Sequence, residues 1–306
     1  MRGIRGITYR LGLAQTRAAF AWRGARDYAR IHTGPPLERR PITAVMVGRN
    51  DDYMSDFKER LTASLEWNLR YLVSEVVFVE WNPPSDRALL SLDLAARFPE
   101  LRAYVVPAET HQRVCENAAI NLLEYHAKNV GIRRARAPWI LSTNADAAVG
   151  FDAVTHVSRA DPRADTVIFT AERVDIPWHE GRQHHIGLLG SLRYRRVIPY
   201  NPLGTGEFAL ASRRLWLAAR GYDERMVRHR MGCDMRGVAQ MMAHGGSSQR
   251  AGTVLHLTHP SSCTEGVRPH HGEYATMEGV PYENPDDWGL FGRPELELAP
   301  RVWRID

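Results

Sequence analysis

Lys128-Asn129-Val130-Gly131-Ile132-Arg133-Arg134-Ala135-Arg136-Ala137-Pro138-Trp139-Ile140-Leu141-Ser142-Thr143-Asn144-Ala145-Asp146 is the stretch that decides how this chain folds. Trp139–Thr143 is a short apolar run of strand length. Upstream, Val114, Ala118 and Leu122 form one stripe and Ala119, Leu123 and Ala127 lie beside it, which predicts a helix over Val114–Val130. A helix followed by a buried strand is the repeating unit of an α/β layer. The strand ends on Asn144-Ala145-Asp146, polar residues where an apolar run stops.

The same alternation runs outward from this unit. Ile42–Val47 is an apolar, β-branched run and predicts a strand. Asp56–Tyr71 has Phe57, Leu61, Leu65 and Leu69 at helical spacing. Val76–Trp81 predicts a second strand, stopped by Asn82-Pro83-Pro84. Ala88–Phe98 predicts a short helix, and Ala103–Val106 and Thr166–Thr170 further strands. Strands alternating with helices imply a mostly parallel central sheet flanked by helices. Ligands of such sheets bind at the carboxyl ends of the strands. Those ends are Gly48-Arg49-Asn50-Asp51-Asp52, Glu80-Trp81-Asn82 and Asn144-Ala145-Asp146.

After Asp175 the pattern changes. Ile176–Gly206 has no clear period, and nine of the 13 histidines lie from His179 onward. Phe208–Ala211 reads as a strand. Ser212–Arg220 reads as a helix with Ser212 as N-cap and Gly221 as stop. Met235–His244 reads as another helix, and residues beyond Ala251 as loop-rich. Thr33-Gly34-Pro35-Pro36 breaks the chain, so the expected division is an extension over 1–40 and one domain over 41–306.

Composition bounds the function. The chain has 306 residues, 44% hydrophobic and 25% charged, with a net charge of +5. These values exclude collagen-like, disulfide-framework and wholly disordered chains. No apolar run approaches the length of a membrane span. Cys115, Cys233 and Cys263 are odd in number and widely spaced, and the N-terminus lacks a signal-peptide core. Both features point to the cytoplasm. Residues 1–40 hold nine arginines against Asp27 and Glu38, an excess of seven positive charges, which leaves the body at −2. The whole-chain charge therefore gives no ground for nucleic-acid binding. The extension reads first as a helix packed on the body or frayed from it. Its second reading is a basic amphipathic segment touching the inner face of an anionic membrane.

Several motifs are excluded. There is no G-x-x-x-x-G-K-[ST] phosphate loop and no G-x-G-x-x-G after a strand. His179-Glu180 does not complete H-E-x-x-H, because position 183 is Gln. There is no G-x-S-x-G elbow.

The Lys128–Asp146 stretch resembles the N-x-G-x-x-x-A-x-G-x-[apolar]-D-x-D segment of glycosyltransferase family 2 and related GT-A enzymes. Gly204-Thr205-Gly206-Glu207-Phe208-Ala209-Leu210-Ala211-Ser212-Arg213-Arg214, followed by Gly221-Tyr222-Asp223-Glu224 and Gly232-Cys233-Asp234, is similar to a second block of that superfamily. His256-Leu257-Thr258-His259 adds a weaker likeness late in the chain. The resemblance spans about residues 42–260. It implies a GT-A-like, Rossmann-like α/β fold with a loop-rich acceptor side. It also implies transfer from a nucleoside-diphosphate sugar to a saccharide or lipid-linked acceptor, assisted by Mn2+ or Mg2+.

Residue by residue, the resemblance assigns Asp146 to the metal, with His256 or His259 completing its shell. A metal held by a carboxylate offsets the charge that develops on a leaving diphosphate. Asn50, Asp51 or Asp52 and Glu80 would meet the base and ribose, with Asn144 beside them and Arg134 on the diphosphate. Asp234 is the first candidate for catalytic base and Glu207 the second. The sequence departs from the motif at Asn144, where the first acid would stand, which removes one negative charge. Two alternatives remain: a non-catalytic GT-A-like binding domain, and a sugar nucleotidyltransferase.

Overall fold

The computed structural model describes residues 22, 25–26, 28–34, 40–51, 54–161, 164–178, 196–197, 201–204, 206–228, 232–259 and 279–306. The first half alternates as the sequence requires. β1 (Ile42–Gly48), α1 (Phe57–Tyr71), β2 (Glu75–Trp81), α2 (Leu90–Arg97) and β3 (Leu101–Val106) follow one another. Then come α3 (Ala108–Val114), α4 (Glu124–Arg134), β4 (Trp139–Thr143), β5 (Ala147–Val149) and α5 (Phe151–Arg159). The second half contributes β6 (Val167–Ile176), β7 (Arg196–Val197), β8 (Phe208–Ser212), α6 (Arg213–Ala218), α7 (Cys233–Ala243) and β9 (Ser247–Leu257). β10 (Glu295–Ala299) and β11 (Val302–Ile305) end the chain.

The strands form one sheet in the order β10-β11-β3-β2-β1-β4-β8-β6-β9-β5, with β7 on β6. β1 is buried along its whole length, and its alternating side chains serve two cores. Ile42, Ala44 and Met46 pack with Leu61 and Leu65 of α1, Leu94 of α2 and Val154 of α5. Val45 and Val47 pack with Val130 of α4, Trp216 of α6 and Met241 of α7. The result is a sheet with helices on both faces.

Three differences from the sequence reading have physical reasons. The sheet is parallel from β11 through β4, but β8 runs antiparallel to both β4 and β6. A strand buried on both faces reads as an apolar run whatever its direction. The expected helix Val114–Val130 is two helices. Asn117 Oδ1 accepts from the Ala119 amide at 3.0 Å and holds a turn between them. The region beyond Ala251 is not all loop. β9 continues to Leu257 against β6, and β11 pairs with β3. Strand partners so far away in sequence leave no local signal.

Residues 28–33 are helical, and Tyr28 and Ile31 pack against the core. This part of the basic extension lies on the body. Leu11, Leu13 and Phe20 lie outside the described residues. Among the described residues no helix is long and apolar enough to cross a membrane.

Candidate functional site

The register of the sheet builds the site. β5 starts one residue after Asp146, and its Ala147 pairs with His256 of β9. β9 runs parallel to β6, so Asp175 lies opposite His256. β4, β6 and β9 therefore deliver Asp146, Asp175 and His256 to one edge, the carboxyl edge of the parallel strands. His259 Nε2 lies 3.0 Å and His256 Nε2 3.4 Å from Asp146 Oδ2. The two Nε2 atoms are 3.2 Å apart. One ligand atom from each of the three residues falls within 4.8 Å of the others. A carboxylate oxygen and two imidazole nitrogens converging in a buried corner form a donor set that suits Mn2+, Fe2+ or Zn2+ better than Mg2+.

A second ring of residues holds these three in place. His256 Nδ1 lies 2.9 Å from Asp175 Oδ1. When Nδ1 donates to that carboxylate, the Nε2 lone pair faces Asp146 and His259. Arg173 Nε donates to the same Asp175 oxygen at 2.7 Å, and its Nη1 donates to Glu207 Oε1 at 2.5 Å. Arg60, buried in α1, donates through Nη1 to the carbonyls of Leu257 and Thr258, both at 3.0 Å. Those carbonyls lie between the two histidines, so Arg60 fixes the turn that brings His259 back over His256.

Burial alone would raise the carboxyl pKa of Asp146. The hydrogen bonds from His256 and His259 outweigh it and hold the group far below the usual carboxylate range. Burial likewise opposes ionisation of Asp175, but His256 and Arg173 bring it down to about 2. Burial lowers the His256 imidazole, and Asp146 and Asp175 carry it up to about 9.

The other side of the cleft is built by β8 and α7. Gly206 adopts φ +87°, and a Cβ there would stand 3.2 Å from Asp234 Oδ2. The backbone entering β8 thus lies against Asp234. That residue sits in the first turn of α7, whose N-cap is Gly232. Desolvation raises the Asp234 carboxyl to about 6, against the opposing pull of the Met235 amide and Lys128. Glu207 is buried, and its Oε2 has no hydrogen-bond partner. Lys128 is fully buried in α4. Its Nζ reaches Asn144 Oδ1 at 2.8 Å, the Gly206 carbonyl at 3.2 Å and Glu124 Oε1 at 2.7 Å. Lys128 ties the end of β4 to the start of β8, and Asn144 meets that ammonium as a neutral acceptor.

No family model matches the chain, and no curated protein matches it. Solved structures do. The chain is similar to the crystal structure of GalNAc-T7 with UDP, GalNAc and Mn2+, with a TM-score of 0.50 and 12% identity over 72% of this chain and 44% of that one. The fold is the GT-A fold. The chain spans less than half the length of that GalNAc-T7 chain. The mannosyltransferase PcManGT from Pyrobaculum calidifontis in complex with GDP-Man and Mn2+ is also similar. There the TM-score is 0.45 and the identity 16%, over 84% of this chain and 68% of that one.

Within the GT-A frame, the residues expected at the nucleotide separate into two groups. Asn50 and Asp51 follow β1 at the carboxyl edge. Asn50 Nδ2 donates to the Ala88 carbonyl at 2.8 Å, and Asp51 pairs with Arg49 at 3.1 Å. Asp52 lies outside the described residues. Glu80 is at that edge too, but it is wholly buried and spent on structure. Its Oε1 accepts from the Leu90 amide at 3.0 Å, and its Oε2 from the Ser91 amide at 2.8 Å and the Ser91 hydroxyl at 2.7 Å. It caps α2 and does not reach toward a ligand. Arg134 is at the wrong end. α4 runs back along the sheet, so its last residue lies at the amino edge of the strands. There Arg134 bonds Glu295 at 2.7 Å, the Gly289 carbonyl at 2.7 Å and the Leu290 carbonyl at 3.1 Å.

Sequence reasoning missed Asp175, Arg173, Arg60 and Lys128. Arg173 and Asp175 alternate along a strand that the sequence seemed to end at Thr170. Extending the period-two pattern would have placed both on one face. Arg60 gave no signal, since an arginine in an amphipathic helix ordinarily faces water.

Proposed function

We propose that this chain is a nucleotide-sugar-dependent glycosyltransferase that uses a divalent metal ion. The observation that carries the reading is the convergence of Asp146, His256 and His259 at the carboxyl edge of a GT-A sheet. These three residues would hold the ion, and Mn2+ suits the two imidazoles better than Mg2+. When bound, the ion supplies positive charge beside a departing nucleoside diphosphate. The residues around it do the rest. Asp175 orients the ring of His256, and Arg60 fixes the turn to His259. Asp234, with a carboxyl pKa of about 6, is ionised at neutral pH and takes the proton of the acceptor hydroxyl. Glu207 lies next along the chain from Gly206, which packs against Asp234, and offers its unpartnered oxygen to a substrate hydroxyl. Asn50, Asp51 and Asn144 form the nucleotide side. The acceptor is a saccharide or a lipid-linked saccharide, and residues 41–306 form the catalytic domain.

Thermal shift with UDP and GDP, each with and without Mn2+, tests the reading. A nucleoside diphosphate should stabilise the wild type only with the metal present, and Asp146→Ala should abolish that shift. No metal-dependent shift with either nucleotide overturns it. A donor-hydrolysis screen across sugar nucleotides then identifies the donor.

A further inference from the structure

A cavity of about 660 Å3 lies away from the metal corner, between the face of α5, the first half of β9 and the N-terminal helical segment. Its size suits a small-molecule ligand. Four arginines line it: Arg26 and Arg30 from the N-terminal segment, Arg159 from α5 and Arg250 from β9. Arg26 and Arg30 are four residues apart and share one face of their helix. The helix is held in place by Tyr28, whose ring packs edge-on against Phe151 of α5 with centroids 5.2 Å apart. The arginines are thus carried to the rim by a docked helix.

The acids around the cavity do not balance these cations. Asp152 lines it, but its Oδ1 already accepts from the Ala153 amide at 2.9 Å, the Thr253 amide at 3.0 Å and the Thr253 hydroxyl at 2.7 Å. Asp161 is the second lining acid. Glu172, outside the lining, pairs with Arg250. The carboxyl end of α5 also lies at the cavity, and its dipole disfavours an anion there. Recognition therefore falls to the guanidinium groups, whose planar forks match phosphate oxygens in pairs. Phe169, Val167 and Ala251 add apolar surface for an organic portion.

We propose that this cavity binds a phosphate-bearing ligand at a site separate from the transfer centre. β9 passes both places: Gly252 lines the cavity and His256 stands at the metal corner. Four strand residues separate them by about 13 Å. The phosphate belongs either to a soluble ester or to a lipid headgroup, and the excess of seven positive charges in residues 1–40 favours either anion.

The test uses the full chain at low ionic strength in EDTA. Inorganic pyrophosphate is titrated by calorimetry into wild type, Arg159→Glu, Arg30→Glu and Asp146→Ala. The same proteins are sedimented with phosphatidylcholine vesicles containing phosphatidylglycerol. Arg159 is exposed, so charge reversal should leave the fold intact, as melting curves would check. Arg159→Gln serves if the reversal does not fold. The expected result is pyrophosphate binding weakened about tenfold or more by each arginine change and unaltered in Asp146→Ala. Vesicle binding that needs Arg30 and Arg159, without pyrophosphate binding, assigns the site to a lipid headgroup. Binding of neither probe overturns the proposal. So does pyrophosphate binding that survives the arginine changes or disappears in Asp146→Ala.

Discussion

Asp146 and Asp234 are carboxylates of one cleft, and desolvation pushes both toward the neutral form. They end at opposite extremes. Asp146 faces two imidazoles and is held ionised far below the usual range. Asp234 has the Met235 amide and Lys128 in its favour but Glu207 and Glu124 against it, and its carboxyl rises to about 6. The same residue type thus becomes a permanent anion at one wall and a proton acceptor near neutrality at the other. Divergent pKa values within one site are how acid and base duties are divided. The neighbours set each role, and burial sets only what they must overcome.

The largest effect should come from removing the permanent anion. Asp146→Ala is expected to cost turnover about three orders of magnitude or more, since the charge it helps to place is worth several kcal/mol. The loss should coincide with loss of Mn2+ binding. Full activity in a chelator would break the contrast at its first member. Next comes Asp234→Asn, which keeps the shape of the side chain. Turnover should fall about 10²–10⁴-fold, while Mn2+-dependent nucleotide binding stays intact. A parallel loss of nucleotide binding would mean that the two walls do not divide the work.

Asp175→Asn sharpens the comparison by testing what makes Asp146's wall. The Mn2+ affinity should weaken about 10–100-fold, the range found for partners that orient a ligand histidine. An unchanged affinity by calorimetry would leave Arg173 as the only group that matters at His256 Nδ1. The smallest effect is graded with pH. Below a pH of about 6 Asp234 holds a proton and cannot accept another. The value of kcat/KM should therefore drop about tenfold for each further unit of acidity. Residual activity of Asp234→Asn should lack this limb, and a wild-type profile flat down to pH 4.5 would remove Asp234 as the base.

How much of this was legible follows from where the partners sit in sequence. Asp146 is readable because the strand that delivers it is local, and because Asn129 and Gly131 mark the helix before it. His256 and His259 are readable as a pair three residues apart. Their supports are not. Asp175 meets His256 across the β6–β9 pairing, and Arg60 meets Leu257 and Thr258 from a helix in the first half of the chain. Glu80 looked like a ligand-facing acid because a strand end is where such acids stand. The amides of Leu90 and Ser91, which claim it, come from the next helix. The parallel half of the sheet was legible from its helical crossovers. The β8 direction and the late strands were not, because their partners lie far along the chain.

The pairing of β11 with β3 carries a consequence for synthesis. Ala103 is matched by Val302, so one margin of the parallel half stays open until the last strand has been made. At about 5–20 residues per second, the roughly 200 intervening residues take about 10–40 s to emerge. Through that interval β3 presents an unpaired edge on the ribosome. The nascent chain therefore spends much of its translation as a nearly complete sheet awaiting its final strand. A cell that slows elongation over these residues lengthens the time in which that edge can pair with something else.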